Sequence, residues 1–529
     1  MRQSSSALPA TLRQVLVIVL TGFLWTGFAI AQINVSSFGA VGDGATDDTA
    51  ALQLAIDSTP PGETLMFGPG SPIYLISATL VFQPQRTYQG PGTILMSSQA
   101  APHTAIAELS YAAADSVTFR GLTLDANGIG GGIQIDVDGG GSVPATAFTL
   151  TNTIITNTTG APAGPWDSAV YAPVGLANST ISNNQFMNCG EAISLFDPNA
   201  VTISRNSFQN ITVGDAISIT FAPAPFAYGS GIQIIGNRGR QLGRMGIELW
   251  PSGGNTAQTS QVSGVLIANN VFSEWIAGGA STFGISLMAG QNATIQGNQL
   301  SGPQAGYGIE LGAAGTLVEA NVIRGFYTGI VLQDSDSATV TTNRLIGQIF
   351  DGIEFSNAPG SREGVTVSNN QIVDAQVLGV YINTPDWGGT TISGNLISRT
   401  AGIFVADGTQ SYTGIGTTPP ITPVNISGNG IAQRASSGPA GFSFIGIRIN
   451  GGEGSNTGST YQNNSISSMS SAIQTTGLFA NSPGTVDGVL IEDNNFDGLT
   501  AASGGAPSTG MLGGGNVIYQ CIAPGPLFP

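Results

Sequence analysis

The stretch VTVSNNQIVDAQVLGVYI, residues 365–382, shows the pattern that recurs along most of this chain. An alternating apolar run leads to an Asn and an Ile, and a Gly then opens a second alternating run. A repeat of 22 to 35 residues, built from short period-2 segments without a helical pattern, predicts a β-solenoid of about thirteen coils. The recurrent asparagines are Asn152, Asn184, Asn206, Asn237, Asn270, Asn298, Asn321, Asn343, Asn370, Asn395, Asn429, Asn464 and Asn495.

The two periods of each repeat also predict which side chains are buried. In a Gly-led run, the first and third residues after the Gly share one face of a strand, and the second lies on the other face. Coils stacked ~4.8 Å apart would bury the aliphatic face as a parallel-sheet core. The Asn follows a strand, where left-handed backbone is tolerated, and the same Asn in successive coils would form a hydrogen-bonded ladder. We therefore interpret the asparagines as structural.

Residues 1–31 have the features of a targeting segment. Arg2 and Arg13 precede an apolar run over residues 15–30, and Ala-Ile-Ala at 29–31 provides a small-residue cleavage site. This arrangement predicts a secretory signal peptide, and therefore a secreted, periplasmic or cell-surface protein with no membrane contact after its removal. The alternative is a lone membrane anchor, for which the apolar run is short.

Composition limits the partners of the chain. Only 9% of the residues are charged, 41% are hydrophobic, and the net charge is −17 with no Lys at all. The negative charge argues against nucleic acid or an anionic membrane as a partner. A polyanionic substrate would need Arg or a metal ion to offset the repulsion. The two cysteines, Cys189 and Cys521, are many coils apart, so we expect both to be unpaired.

The segment INVSSFGAVGDGATDDTAALQLAID, residues 33–57, differs from the repeats. A turn at residues 42–44 leads into a helix that we expect to start after Thr46 or Asp47 and to run to about Asp57. We expect this helix to cover the open end of the solenoid, whose sheet edges would otherwise be exposed. The side chains expected on its buried face are Leu52, Ala55 and Ile56, and those expected to shape the turn and cap the helix are Asp43, Asp47 and Asp48.

This segment closely resembles the N-terminal module of the pectate-lyase superfamily that includes rhamnogalacturonase- and epimerase-like proteins. The resemblance implies an all-β fold, a single-stranded right-handed parallel β-helix with an N-terminal capping helix, and a polysaccharide partner. It implies a fold and not a reaction, because hydrolases, lyases and viral tailspikes share the module. The predicted organisation is a signal peptide at 1–31, the module at 32–100, the repeats at 101–499 and a tail at 500–529.

Chemistry must come from side chains that point out of the core. The second position after each Gly forms a predicted outward column with three carboxylates, Glu248, Glu310 and Glu354. Carboxylates perform proton transfer in glycan cleavage, and aromatic rings receive sugar faces. The alternative is that these are scattered solvated residues. The side chains predicted to bind substrate are Trp250, Tyr381, Phe404, Arg244 and Arg448.

A second pair of acids, Glu191 and Asp215, is predicted at equivalent positions one coil apart, roughly 5 Å. That spacing suits a retaining mechanism, whereas the column acids would be two coils apart, roughly 10 Å. NCGEAISLF and VGDAISIT resemble two acidic runs of polygalacturonases, and RMGIELW, with Arg244, loosely resembles a third run. The second acidic run has one acid here, and the His and Lys of the polygalacturonase pattern are missing, so that mechanism does not transfer intact.

Several alternatives remain open from the sequence. The main hypothesis is a secreted glycoside hydrolase or lyase that cleaves a pectin-like or other acidic or neutral glycan. The alternative is a non-catalytic β-helix adhesin or glycan-binding surface protein. A Lys-based lyase is excluded by composition, but an Arg-based lyase with Ca²⁺ is not. We expect no required cofactor and at most weak Ca²⁺ binding at the acidic turns Asp136-Val-Asp138 or Asp334-Ser-Asp336. The sequence does not indicate the oligomeric state.

Overall fold

The structure is a computed structural model in which three long parallel sheets wind around one apolar core. The predicted signal segment, Phe404 and Cys521 lie outside the described residues. The residues that it describes are 32–110, 116–136, 145–159, 168–173, 175–221, 229–252, 262–276, 281–356, 362–383, 387–399, 411–417, 423–434, 443–450, 458–469, 474–481, 490–499, 501–505 and 517–519.

The first sheet has 17 strands, each paired in parallel with the strand of the next coil. Its strands are Ile33–Asn34, Thr64–Met66, Arg86–Gln89, Val117–Arg120, Thr149–Thr151, Thr180–Ser182, Thr202–Ser204, Gln233–Ile235, Leu266–Ala268, Thr294–Gln296, Leu317–Glu319, Thr339–Thr341, Thr366–Ser368, Thr391–Ser393, Asn425–Ser427, Thr460–Gln462 and Leu490–Glu492. The central residue of each three-residue strand points into the core, as Ile181 and Ile203 do.

The second sheet follows the first in every coil. Its strands are Asp43–Asp47, Ile73–Ile76, Thr93–Met96, Thr123–Asp125, Ile154–Thr156, Gln185–Cys189, Ser207–Ile211, Arg238–Leu242, Val271–Trp275, Gln299–Ser301, Val322–Arg324, Arg344–Ile346, Gln371–Val373, Leu396–Arg399, Gly430–Gln433, Ser465–Ser468, Asn495–Asp497 and Val517–Tyr519. Cys189, which ends one of these strands, is a buried free thiol, as expected.

The third sheet has 16 strands and carries the predicted outward column. Its strands are Leu80–Phe82, Ala107–Ser110, Ile133–Asp136, Val170–Ala172, Ile193–Phe196, Ile217–Phe221, Met245–Pro251, Phe283–Leu287, Tyr307–Leu311, Thr328–Leu332, Asp351–Phe355, Leu378–Ile382, Ser411–Thr417, Ser443–Asn450, Gln474–Asn481 and Ala501–Gly505. Two short pairs, Ala145–Thr146 with Leu176–Ala177 and Arg362–Glu363 with Trp387–Gly388, lie outside the three sheets.

The solenoid is longer than the thirteen coils predicted, because residues 32–100 already form coils. Thr64–Met66 pairs with Arg86–Gln89 in the first sheet, and Ile73–Ile76 pairs with Thr93–Met96 in the second. Leu80–Phe82 then pairs with Ala107–Ser110 in the third. All three sheets therefore continue from the N-terminal module into the repeats.

A buried asparagine ladder follows the turn between the first and second sheets, as predicted. In each coil the Asn Nδ2 donates to the Oδ1 of the next Asn and to a first-sheet carbonyl, as Asn206 does to Asn237 at 3.0 Å and to Ile181 at 2.9 Å. The residue just before each ladder Asn, and not the Asn itself, has the left-handed backbone. The ladder consists of Asn184, Asn206, Asn237, Asn270, Asn298, Asn321, Asn343, Asn370, Asn395, Asn429, Asn464 and Asn494.

The two ends of the predicted ladder were wrong by one residue. Asn152 has a φ of 51° and precedes Thr153, whose N–H donates to Asn184 Oδ1 at the ladder position. Asn494 closes the far end, where Asn495 was predicted, and Asn495 instead begins a second-sheet strand. Both errors arise because two asparagines, or an Asn and a Thr, stand side by side and only one of them points inward.

The glycines that lead the repeats are required by close packing at the third sheet. At Gly352 an added Cβ would lie 2.4 Å from the Gly379 carbonyl oxygen and 2.6 Å from Ile372 Cγ2. The same clash recurs at Gly379 with the Gly414 carbonyl oxygen, at 2.5 Å. Large second-sheet side chains such as Ile372 therefore fill the space that a side chain at these positions would need.

The N-terminal helix, Thr49–Ser58, covers the first third-sheet strand. It buries Leu52, Ala55 and Ile56, as predicted, but its N-cap residue is Asp48 rather than Thr46 or Asp47. Gln53 Nε2 donates to the Val81 carbonyl at 3.0 Å, and the Val81 N–H donates to Gln53 Oε1 at 2.9 Å. The helix thus satisfies backbone groups at the sheet edge, which is how it caps the solenoid.

The acidic residues of this module have structural partners. Asp43 accepts hydrogen bonds from the Ala45 and Thr46 N–H groups, and Asp48 accepts from Val41 and Gly42. Asp47 accepts from the Thr49 N–H and the Ser77 hydroxyl. These bonds confirm that the acidic run shapes the turn and the start of the helix.

Candidate active site

The outward side chains of the third sheet form the floor of the candidate site. They are mostly buried, which contradicts the alternative that they are scattered solvated residues. Glu248 is only 8% exposed and Glu310 only 6%, although both point away from the apolar core. A carboxyl group that is held away from water resists ionisation, so burial prepares these acids for proton transfer. The buried members of this column are Ser194, Ser218, Glu248, Ser286, Glu310 and Val331.

The register of the predicted column is correct as far as Tyr381 and then differs. Glu354 pairs with Tyr381, and Tyr381 pairs with Gly416 rather than with Phe404. Gly416 then pairs with Arg448. Phe404 was assigned to the column because the sequence GIFV resembles a Gly-led run, but the third-sheet strand of that coil is Ser411–Thr417. The column therefore lacks the aromatic ring predicted there.

Five side chains from neighbouring coils make up what we call the acid cluster: Ser168, Glu191, Asp215, Arg244 and Glu248. Glu191 and Asp215 are in equivalent positions, since Ile193 pairs with Ile217 two residues later in each strand. Arg244 donates from Nε to Asp215 Oδ1 at 2.9 Å and from Nη2 to Asp215 Oδ2 at 2.6 Å. The same Nη2 donates to Glu248 Oε2 at 2.6 Å. The two groups of acids that the sequence left as alternatives are therefore partly one site.

Glu191 has the properties of a general acid. Burial, and then the nearby Asp215 charge, raise its pKa from 4.5 to about 7, while the Ser168 hydroxyl and Arg244 act in the opposite direction. Ser168 Oγ donates to Glu191 Oε2 at 3.1 Å. Gly214 leaves room for the side chain, because a Cβ at that residue would lie 3.0 Å from Glu191 Cβ. Glu191 itself remains partly exposed, so a substrate oxygen can reach it.

Glu248 is the second carboxyl that faces the site. Burial and the Asp215 charge raise the pKa of Glu248, and the Arg244 guanidinium opposes them. Its Oε2 and Asp215 Oδ2 share one Arg244 nitrogen, so they are no more than twice 2.6 Å apart. Trp250 lies two residues further along the same strand, on the same face, and is 38% exposed.

Asp215 lies one coil from Glu191, as predicted, but its surroundings differ from those of an accessible catalytic acid. It is fully buried, and its Oδ1 also accepts the Met245 N–H at 3.0 Å. With both oxygens bonded and no exposed surface, it is poorly placed to attack a sugar carbon or to activate water. Its negative charge instead holds Arg244 and raises the pKa values of Glu191 and Glu248. Asp215 therefore acts in this geometry as a positioning residue.

Arg244 is also unsuited to the role of a base. Burial alone would lower its pKa, but the Asp215 and Glu248 carboxylates more than offset this and raise the pKa above its ordinary value. Its side chain is 39% exposed, so the guanidinium can still contact a ligand. An elimination mechanism that takes a proton with Arg244 is therefore disfavoured.

The other predicted acids lie further along the same face, outside the acid cluster. Glu310 accepts from Ser286 Oγ at 2.7 Å and from Gln333 Nε2 at 2.5 Å, and burial raises its pKa. Burial also raises the pKa of Glu354, which accepts a long 3.4 Å hydrogen bond from Asn383. Glu310 and Glu354 are separated by Val331, so they do not form a pair.

Aromatic residues border this face, and sequence reasoning missed most of them. Phe283 stacks on Tyr307 with ring centroids 5.0 Å apart, and Tyr327 stacks on Phe350 at 4.9 Å. Phe283 and Tyr307 are the first residues of neighbouring third-sheet strands, and Tyr327 and Phe350 directly precede two such strands. Alignment of the Gly-led runs would therefore have placed the two rings of each pair one coil apart. At the positions before the Gly, the sequence prediction considered acids but not aromatic rings.

The remaining predicted binding residues lie in the later coils. Tyr381 and Arg448 are both half-buried on the outward face of the third sheet. Burial lowers the pKa of Arg448, and the nearby Tyr381 opposes this effect. They are therefore neighbours, but they lie several coils from the acid cluster.

We find no group of three or more His, Cys, Asp or Glu side chains suited to a metal ion among the residues that the structure describes. At one predicted calcium turn, Asp336 Oδ1 accepts the Glu363 N–H at 3.1 Å, which is a structural contact. At the other, Asp136 ends a strand and Asp138 lies outside the described residues. Weak Ca²⁺ binding therefore stays a prediction. Across the described part of the chain, no helix has the length and hydropathy to cross a membrane.

Comparison with known families agrees with this architecture. Residues 32–127 match the family described as rhamnogalacturonase A/epimerase, pectate lyase-like, and residues 255–418 match the right handed beta helix region. The protein is a right-handed, pectate-lyase-like β-helix. The first match covers the quoted N-terminal module, and the second covers the coils that carry Glu310 and Glu354.

Individual proteins that are similar to this β-helix include phage proteins. Over 110 residues it is 38% identical to the capsule K30/K69-specific depolymerase of Klebsiella phage K64-1, a match that spans 19% of this chain and 14% of the depolymerase. Among solved structures, it is similar to the pre-mature gene product 12 of bacteriophage phi29, with 12% identity, a TM-score of 0.51, and coverage of 92% of this chain and 72% of that one.

A further similar structure is the catalytic unit of a GH87 α-1,3-glucanase from Streptomyces thermodiastaticus. The identity is 14%, the TM-score 0.44, and the coverage 78% of this chain and 69% of that one. At these low identities the solved structures show the fold alone.

Proposed function

We propose that this β-helix is an exported glycoside hydrolase that cleaves a polysaccharide at the acid cluster. The observation that carries the proposal is the meeting of two buried carboxyl groups, Glu191 and Glu248, around one buried ion pair. Burial and the Asp215 charge raise both pKa values, that of Glu191 to about 7 and that of Glu248 to about 8. We assign the carboxylate to Glu248 because Arg244 bonds it at 2.6 Å, and the proton to Glu191, which accepts a hydrogen bond from the Ser168 hydroxyl.

Glycoside hydrolysis needs this combination of one acid and one carboxylate. In the proposed reaction, Glu191 donates its proton to the glycosidic oxygen as the bond to the leaving sugar breaks. A water molecule supplies the hydroxyl group that replaces the leaving sugar on the anomeric carbon, and its proton goes to Glu248, the second carboxylate, on the side of the site that carries Trp250. Arg244 holds Glu248, and the charges of Asp215 and Arg244 shift the pKa values of both acids. The reaction needs no metal, so we expect cleavage to persist after chelation of divalent ions.

The charges of the site favour a neutral glycan over a polyuronate. The net charge of the chain is −17, and the outward face of the third sheet carries Glu191, Glu248, Glu310 and Glu354. One arginine, Arg244, is present in the acid cluster, and it is already bonded to two carboxylates. Within the acid cluster as the structure describes it, a uronate next to the cleaved bond would therefore meet more negative than positive charge.

Supporting arguments also come from the relative and from the N-terminal sequence. The phage protein that is similar over 110 residues is described as a capsule depolymerase, which is in keeping with a polysaccharide substrate here. The segment at 1–31 has the form of a signal peptide, and we propose that it is removed after Ala31. Mass spectrometry of exported protein checks this: an intact segment 1–31 would indicate an anchor.

The decisive experiment is a polysaccharide screen with exported protein. Neutral and uronate polymers are scored for new reducing ends and, by ultraviolet absorbance, for unsaturated products. We expect new reducing ends from a neutral polymer, without unsaturated products. Unsaturated products would instead indicate elimination, and binding without any cleavage would indicate a non-catalytic adhesin.

Two matched variants then test the assignment of the acid. Glu191→Gln should lower kcat by ~10²-fold or more, the effect expected for loss of a general acid. Glu319→Gln, on the first sheet and away from the site, is the control and should keep wild-type turnover. Equal turnover in the two variants would show that Glu191 does not donate the proton.

A further inference from the structure

A second depression lies on the β-helix at the corner between the second and third sheets. This corner cavity has a volume of about 250 Å³ and is lined by Gln304, Gly347, Ile349, Asp374, Gln376 and Arg399. Gln304, Gly347 and Asp374 have φ angles of 66°, 66° and 57°. Left-handed backbone at these turns bends the chain sharply at this corner.

The lining combines an apolar wall with several hydrogen-bonding groups. Ile349 supplies apolar surface, whereas Asp374, Gln376 and Arg399 supply a carboxylate, an amide and a guanidinium. Arg399 is 2% exposed, and its Nη1 donates to the Gln376 carbonyl at 2.8 Å. The charged group is therefore held in place by the backbone of the adjacent coil and belongs to a built wall.

One polar atom of this lining points to a missing ligand. Gln376 Oε1 is buried and has no hydrogen-bond partner among the described residues. A buried acceptor without a partner loses its hydrogen bonds to water without replacement, so such atoms are rare unless a ligand or water bonds them. A hydroxyl group in the cavity would satisfy this oxygen.

The aromatic stack described above adjoins the cavity along the chain. Phe350 directly follows the lining residue Ile349, and it stacks on Tyr327, which is 40% exposed. Aromatic faces pack against the C–H faces of sugars, while carboxylate and amide groups bind sugar hydroxyls. Asp374 and Arg399 carry opposite charges, so the cavity has no preference for an ionised sugar.

We infer that the corner cavity binds a neutral pyranose unit of the same glycan, at a site separate from the acid cluster. The third-sheet strands that follow Ile349 and Gln376 are Asp351–Phe355 and Leu378–Ile382, and they lie four and five coils beyond Met245–Pro251. At ~4.8 Å per coil, this is about 19–24 Å. A long chain can therefore occupy both places, whereas a short fragment cannot. The inference rests on the proposed glycan function.

The test uses two cavity variants made in the Glu191→Gln protein, which should bind the glycan without cleaving it. Gly347→Asn places a side chain in the cavity wall without a clash, because no atom lies within 4 Å of a Cβ there, and Asn tolerates left-handed backbone. Gln376→Leu removes the unpartnered amide at similar size. Arg344→Ala, an exposed change in the second-sheet strand Arg344–Ile346, is the matched control.

Titration calorimetry with a length series of neutral oligosaccharides from the cleaved polymer gives the readout. We expect both variants to bind the long members about tenfold more weakly or worse, and the shortest members unchanged. Unchanged affinity for long members in both variants would overturn the cavity assignment while leaving the hydrolase proposal intact. Cleavage that persists in Glu191→Gln would overturn only the catalytic assignment. If the parent protein binds no glycan, both proposals fail.

Discussion

Arg244 and Asp215 form a two-pronged ion pair across adjacent coils of the β-helix, with contacts of 2.9 and 2.6 Å. Asp215 is fully buried, while Arg244 reaches the surface of the site and also bonds Glu248. The pair therefore connects a fully buried carboxylate to the exposed part of the site. It is the structural reason why Glu191 and Glu248 share one electrostatic environment.

Removal of Arg244 should destabilise the fold as well as the site. Arg244→Met leaves the buried Asp215 carboxylate without its cation, which typically costs about 3–5 kcal/mol. Denaturant unfolding measures this loss. The exposed Arg240 bonds the Gln209 side chain, which is neutral, and Arg240→Met should change the free energy of unfolding by about 0.5 kcal/mol or less. A double variant, Arg244→Met with Asp215→Asn, should recover part of the stability. Equal losses in the single and double variants would contradict the ion-pair explanation.

The raised pKa of Glu191 predicts a pH-dependent stability. The folded protein holds this proton up to about pH 7, whereas the unfolded chain loses it near 4.5. Between these values the native state binds more protons, so the free energy of unfolding falls as pH rises, by about 3 kcal/mol at most. The urea midpoints of wild type and Glu191→Gln, measured at pH 5, 6 and 7.5, should be similar at pH 5. As pH rises, the wild-type midpoint should fall below that of Glu191→Gln, because Gln does not titrate. Parallel curves would show that Glu191 titrates normally.

The same carboxyl group should determine the pH at which activity declines on the alkaline side of the pH–rate profile. If protonated Glu191 is the acid, kcat/KM should fall as pH rises through about 7. Asp215→Asn removes the charge that helps to raise this pKa, so the limb should move to lower pH. A pH–rate profile of the variant checks the direction. A limb that stays in place would mean that the rate reports another group.

The asparagine ladder should be costly to interrupt. Asn321 donates to the Ile295 carbonyl and to Asn343, and its Oδ1 accepts from Asn298. Asn321→Ala leaves several buried groups without partners, each costing about 1–3 kcal/mol. Thermal and denaturant unfolding should show a loss of about 3 kcal/mol or more. Asn425→Ala, at an exposed first-sheet position, should have little effect, and similar losses in both variants would argue against the ladder as the cause.

Gln53 predicts a local effect at the N-terminal end. Gln53→Ala frees the Val81 N–H and carbonyl at the edge of the third sheet. Hydrogen exchange at Val81 should therefore accelerate by tenfold or more, with smaller changes in later coils. Leu54→Ala, at a helix position that is 55% exposed, is the control. Unchanged exchange at Val81 would show that the helix body, not Gln53, protects this edge.

The sequence predicted those features that repeat, and it failed where a feature occurs once. The Gly-led runs and the Asn positions recur, so their periods identified the sheets, the core and the ladder. The ends of the ladder were wrong because Asn152 and Asn495 have a neighbour that also fits, and only backbone geometry separates the two. Phe404 was misplaced for a different reason: GIFV resembles a Gly-led run, whereas the third-sheet strand of that coil is Ser411–Thr417.

The contacts within the candidate site depend on the length and conformation of side chains, which cannot be deduced from strand register. The stacking of Glu191 on Asp215 follows from their equivalent positions, but the link to Glu248 needs the long side chain of Arg244 to bend between two coils. Burial of the outward column was also unpredictable, because alternation gives the direction of a side chain and not what covers it. The aromatic stack of Tyr327 and Phe350 involves residues two positions before the Gly, a position at which no residue was predicted to belong to the site.

The asparagine ladder makes the same contact in every coil that it joins, whatever the length of the coil. Asn184 and Asn206 are 22 residues apart, whereas Asn429 and Asn464 are 35 apart, yet both pairs make the same 3.0 Å bond. The turn between the first and second sheets therefore keeps its register, however many residues the other turns of the coil contain. Insertions can accumulate at those other turns without shifting any neighbouring strand. For an engineer, this means that loops exchanged between coils beside the acid cluster should alter which glycan fits while leaving the stack of sheets intact.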